Sequence, residues 1–115
     1  MNAIFPQGHA WIDGNFVALA EAKISILDWG FLRSDATYDV VHVWKKRFFQ
    51  LDKHIDRFFE SSNKLRMPCK MDRHEVKKIL DRCVEQGKLE NATVEIIQTR
   101  RISPNFCLLY QPDDA

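Results

Sequence analysis

Residues 38–65 read YDVVHVWKKRFFQLDKHIDRFFESSNKL, and a change of period inside this stretch decides the fold class. Tyr38 to Trp44 alternates every second residue, with valines through its middle. That pattern puts Tyr38, Val40, His42 and Trp44 on one face of a strand and Asp39, Val41 and Val43 on the other. Lys45-Lys46 has the length of a hairpin turn, and Arg47 to Leu51 is expected to return as the partner strand. From Asp52, a suitable N-cap, the spacing changes to three and four: Ile55, Phe58, Phe59, Ser62 and Leu65 make one stripe of a helix that Met67-Pro68 closes.

Upstream, Asp13-Gly14 between Ala10-Trp11-Ile12 and Asn15-Phe16-Val17 is a hairpin signal, because both central turn residues need positive φ. Ala22 to Leu27 reads as a short strand or a lead-in to one, Asp28-Trp29-Gly30 as a turn, and Ser34-Asp35 as a second polar break. Downstream, Asp72 and Glu75 form a capping-box pair for a second helix. Val76, Ile79, Leu80, Cys83 and Val84 form its buried face, with Gly87 suited to the C′ position. Ala92 to Thr99 reads as a further strand, and the tail from Arg101 to Ala115 gives no clear element. Strands, two helices, then a strand make an α+β domain: a mainly antiparallel sheet with two helices packed on one side.

The bulk properties bound the function. A chain of 115 residues with 45% hydrophobic and 29% charged residues suits one ordinary globular domain. A formal charge of +1 argues against duplex nucleic acid or an anionic membrane as partner. The small basic groups Lys45-Lys46-Arg47 and Arg100-Arg101 read as solvated turns or strand ends. Cys69, Cys83 and Cys107 show neither a CxxC metal pattern nor a disulfide framework, which suits a reducing compartment. The N-terminus lacks the pattern of a signal peptide and no apolar stretch is long enough to span a bilayer, so a cytoplasmic setting is expected.

Few residues advertise chemistry by spacing alone. Arg57, near the start of its helix, is able to present a planar fork to a phosphate or carboxylate. Equally, it is able to lie along the helix or pair with Asp56 or Glu60. His54 has no triad partner in the sequence and suits a structural hydrogen bond to the strand backbone. His42 fits core, surface or pocket wall, and Tyr38 fits a half-buried strand position. No metal-ligand cluster, P-loop, GxSxG or GxGxxG is present.

Taken together, AKISILDWGFLRSDATYDVVHVW (22–44) and RFFQLDKHIDRFFESSNKLRMP (47–68) resemble the N-terminal domain of class IV, or fold-type IV, pyridoxal-phosphate aminotransferases. The likeness runs from about Trp11 to Arg100. It rests on a D-x-G-F turn, the strand starting at Tyr38 and the L-x-x-H-x-x-R-F helix start, in that order. SDATYDVVHVW is most similar to the D-amino-acid and (R)-selective amine transaminase branches. The resemblance implies that Arg57 binds the phosphate of pyridoxal 5′-phosphate. It also implies that Tyr38, Val40 and His42 line the substrate side, with Arg33 at the pocket rim, and that the protein is dimeric.

It implies equally that the Schiff-base lysine and the acidic partner of the pyridine nitrogen belong to a larger C-terminal domain. None of the lysines present occupies that place. Residues 1–100 are therefore expected to be the N-terminal aminotransferase domain, and residues 101–115 a divergent tail, with Arg101 where relatives usually have glycine. This reads as a truncation, a frame change or a fragment, inactive by itself. The alternatives are a non-catalytic remnant or dimerising domain without cofactor, and a partner for an intact homologue.

Overall fold

The computed structural model describes residues 7–103, and its order of elements follows the change of period in the sequence. Strands β1 (His9–Ile12) and β2 (Asn15–Ala18) precede a 3₁₀ turn and a four-residue helix, α1 (Trp29–Leu32). Then come β3 (Ala36–Trp44), β4 (Arg47–Phe48), α2 (Leu51–Lys64), α3 (Arg73–Gly87) and β5 (Ala92–Thr99). β1 and β2 form an antiparallel ribbon around Asp13-Gly14, whose φ values are 49° and 87°. The other sheet has the order β4-β3-β5 and is antiparallel throughout, with β5 paired from Ala36↔Thr99 to Val43↔Ala92. This is the expected α+β arrangement.

Alternation along β3 separates the sheet's two faces. Val41 and Val43 are fully buried, as are Trp29 and Ile55, and Ile55 packs with Val76 and Leu80 in the core between helices and sheet. Turn Lys45-Lys46 holds both lysines at positive φ, 49° and 65°, where glycine or asparagine is usual. The strain is offset by two hydrogen bonds from the loop before β5: Lys45 N donates to Asn91 Oδ1 (3.0 Å) and Lys46 N to the Glu90 carbonyl (2.8 Å).

Several boundaries differ from the sequence reading. The return strand stops at Phe48 because Gln50 turns left-handed, φ 52°, and α2 begins at Leu51 with Gln50 rather than Asp52 at the N-cap. Asp52 lies in the first turn, where a carboxylate still complements the helix dipole. The same helix ends at Lys64, with Arg66 at φ 59°, before Met67-Pro68 is reached. Residues 22–27 form no strand; instead Asp28 caps α1, its Oδ1 accepting from Gly30 N at 2.7 Å. Gly87 is the last helical residue and Lys88 takes the left-handed position, φ 56°. A Cβ on Gly87 would stand 3.3 Å from the Gly8 Cα, so close packing against the chain entering β1 accounts for that glycine.

Arg100, read from sequence as a solvated strand end, is buried. Its Nε donates to Asp35 Oδ2 (2.9 Å) and its Nη2 to the Leu65 carbonyl (2.6 Å). Arg101 is the exposed member of the pair and bonds Asp13 Oδ1 at 2.7 Å. Cys107 lies outside the described residues, as does most of the 101–115 tail. Among the described residues no helix is long and apolar enough to cross a membrane.

Gly30 is the tightest test of this packing, since a Cβ there would lie 2.5 Å from Thr99 Cγ2 and 2.9 Å from Thr99 Cβ. Gly30→Ala is expected to cost about 1–3 kcal/mol, the range for overpacking. Adding Thr99→Ser, which removes the nearest methyl and keeps the hydroxyl bonded to Asp28, should return part of that loss in urea unfolding. Ile55→Ala should cost about 2–5 kcal/mol through its cavity.

Candidate functional site

One carboxylate interrupts the apolar inward face of β3. Asp39 stands two residues before Val41, its side chain only 3% exposed, so its charge needs partners. Both come from the first two turns of α2. Arg57 makes a two-pronged contact, Nε to Oδ2 at 2.7 Å and Nη2 to Oδ1 at 2.8 Å. His54, three residues earlier on the same helix face, places Nδ1 2.6 Å from Asp39 Oδ1. Asp39 being an ionised acceptor, Nδ1 carries the proton and donates. The 3.3 Å approach of Arg57 Nη2 to that nitrogen is then proximity, not a hydrogen bond.

Local folding creates this cluster. β4 pairs only with Val43 and Trp44, so among the described residues, 36–41 of β3 have no strand neighbour on that side, and the first turns of α2 reach Asp39 on the inward face. The Arg57 hydrogen bond holds the Asp39 carboxyl down at about 2, with His54 helping and burial opposing. Reciprocally, Asp39 raises the Arg57 pKa. Arg57 nevertheless keeps its side chain 64% exposed.

The opposite face of β3 carries Tyr38, Val40, His42 and Trp44, all exposed, with Tyr38 at 67% rather than half-buried. Their cross-strand partners on β5 are Ile97 opposite Tyr38, Glu95 opposite Val40 and Thr93 opposite His42. Thus Tyr38, Val40 and His42 are brought together as their alternation requires. Arg57 is grouped instead with Asp39 and His54, across the strand from them. Arg33 caps α1, exposed, with its guanidinium 5.9 Å from the Trp29 ring centroid.

The sequence had offered Asp56 or Glu60 as partners for Arg57, and strand backbone for His54. Asp56 is taken by Arg73 and Glu60 by Lys64, while both α2 residues converge on the Asp39 side chain. The missed residue is Asp39, and its signal was present: a lone acid on a face otherwise occupied by Val41 and Val43. Glu95 and Ile97 come beside Val40 and Tyr38 only through the β3–β5 register, which spacing in the sequence does not give. Among the described residues no group of three or more His, Cys, Asp or Glu is placed to hold a metal.

A family profile described as amino-transferase class IV matches residues 36–112, which include the whole β3–α2–β5 unit. The chain belongs to the class IV aminotransferase family. Its match reaches past residue 100, into the stretch set apart above as a tail. Similar proteins include the D-alanine aminotransferase of Staphylococcus aureus (strain N315), 26% identical over 93 residues, 81% of this chain and 33% of the relative. A putative branched-chain-amino-acid aminotransferase of Methanocaldococcus jannaschii is 25% identical over 92 residues, 80% of this chain and 32% of that protein.

Among solved structures, the T.th. branched-chain amino acid aminotransferase with pyridoxamine 5′-phosphate superposes with a TM-score of 0.77 at 21% identity. That superposition covers 84% of this chain and 33% of the other, and shows a shared fold. The chain thus spans about a third of the length of these class IV relatives.

The cluster makes a pH-dependent prediction. Asp39 titrates at about 2 when folded and at about 4 when unfolded, so its ionised form stabilises the fold fully above the higher value. The contribution disappears as pH falls from about 4 to about 2. The gap in thermal midpoint between the natural chain and Asp39→Asn should be widest above about pH 5 and should close on acidification over that window.

Proposed function

We propose that this chain is the N-terminal part of a pyridoxal-phosphate-dependent aminotransferase, moving an amino group between an amino acid or amine and a 2-oxo acid or ketone. The observation that carries this reading is the state of Arg57. A guanidinium has five N–H bonds, and Asp39 engages two of them in a side chain that remains largely exposed. The remaining donors suit a doubly charged phosphate, and the family's H-x-x-R pattern falls on His54 and Arg57. These donors fit the phosphate of pyridoxal 5′-phosphate, which when bound supplies the electron sink for amino transfer.

In this reading Arg57 neutralises and orients the phosphate. Tyr38, Val40 and His42 form an outward wall against which an amino donor or acceptor rests, and Arg33 lies at the rim. Neither the Asp39–His54–Arg57 cluster nor the Tyr38–Val40–His42 face includes a lysine. The amine that takes and returns the substrate's α-proton is therefore assigned to another part of the subunit. The setting is cytoplasmic, and the assembled state is a homodimer or a pairing with a longer relative.

A second reading, a pairing domain that binds no cofactor, has one observation in its favour. Tyr38, Trp44 and Ile97 are large apolar side chains exposed on one face of the sheet, a surface of the kind that partners cover.

Titrating the chain with pyridoxal 5′-phosphate and with phosphate-free pyridoxal separates the two. Weak binding that needs the phosphate and falls about tenfold in Arg57→Ala supports the first reading. Equal behaviour of both compounds, or of both proteins, supports the second. Transaminase assays of the 115-residue chain alone should show no turnover.

A further inference from the structure

Asp39 has no role in the reading just given, although it is the group on which Arg57 rests. A long exposed arginine samples many rotamers, and ordering it on a ligand costs conformational entropy. The two-pronged contact at 2.7 and 2.8 Å removes that freedom beforehand by fixing the plane of the guanidinium. The carboxylate is itself held: it is almost wholly buried, and His54 Nδ1 clasps the same Oδ1 at 2.6 Å. Strand alternation adds a second consequence. Asp39 points inward while its chain neighbours Tyr38 and Val40 point outward, so one strand sets the position of both Arg57 and the substrate wall.

We infer that Asp39 is a positioning residue, which locks Arg57 so that its unengaged N–H donors face a phosphate, with His54 bracing the carboxylate. The inference rests on the phosphate-binding reading of Arg57. Simple electrostatics points the other way. A carboxylate beside an anion site repels the anion, so charge alone predicts that removing it tightens binding. Orientation predicts the opposite sign.

The experiment titrates inorganic phosphate into the chain, following the Arg57 Nε–H resonance by NMR, in the natural chain, Asp39→Asn, Arg57→Ala and Asp39→Asn/Arg57→Ala. Affinities for the arginine-free proteins are read from backbone amide shifts. Val41→Ala serves as a variant destabilised in the same strand without touching the pair. Asp39→Asn should weaken phosphate about five- to tenfold, broaden or lose the Nε–H signal, and have no further effect once Arg57 is absent. Val41→Ala should leave the affinity unchanged.

Unchanged or tighter binding in Asp39→Asn overturns the positioning role while leaving the phosphate reading intact. An equal loss in Val41→Ala overturns it too, by showing that stability alone is responsible. If the natural chain and Arg57→Ala bind phosphate alike, the functional reading itself fails and this inference falls with it.

Discussion

A three-stranded sheet with helices on one side can bury only one face of its central strand, and β3 occupies that centre between β4 and β5. Period-two alternation then divides its residues without compromise. Val41 and Val43 go inward and are fully buried, while Tyr38, Val40, His42 and Trp44 go outward. A slip of one residue would exchange the two sets and drive an imidazole and an indole into the core. The β5 register, continuous from Ala36↔Thr99 to Val43↔Ala92, holds that division in place.

Polar contacts then fix how α2 lies on the sheet, and they act at both of its ends. Near its start, His54 and Arg57 close on Asp39. Near its end, Ser62 Oγ donates to Gln98 Oε1 at 2.9 Å, and Gln98 Nε2 donates in turn to the Met67 carbonyl, also at 2.9 Å. Arg100 completes this clamp by bonding the Leu65 carbonyl and Asp35 together, satisfying acceptors that a helix C-terminus leaves open. Apolar packing between helix and sheet is non-directional, and these bonds supply the direction. In the phosphate-binding reading proposed above, they keep the helix that carries Arg57 in its place along β3.

The short β4 leaves much of β3 without a strand partner on its β4 side among the described residues. With β4 two residues long, Asp39 is met on the inward face of β3 by His54 and Arg57 from the first turns of α2. The outward-facing Tyr38 and Val40 flank Asp39 along the chain. The Asp39–Arg57 pair and the outward residues Tyr38, Val40 and His42 therefore lie on opposite faces of one strand.

Much of this was determined by the sequence alone. The switch of period within residues 38–65 required a strand followed by a helix, and Asp13-Gly14 required a tight hairpin. The Asp72–Glu75 pair required a helix start, because these signals act through local backbone geometry and burial. The H-x-x-R spacing put His54 and Arg57 on one side of α2 for the same reason. What only the tertiary structure decided was the partner of each charge. Asp56 and Glu60 lie near Arg57 in sequence, yet Asp39, eighteen residues away, takes both prongs. Arg100 turned from a surface residue into a buried clamp for the same reason. A buried carboxylate takes whichever cation the packing delivers, and packing depends on where β4 stops and α2 begins, which the left-handed turn at Gln50 sets.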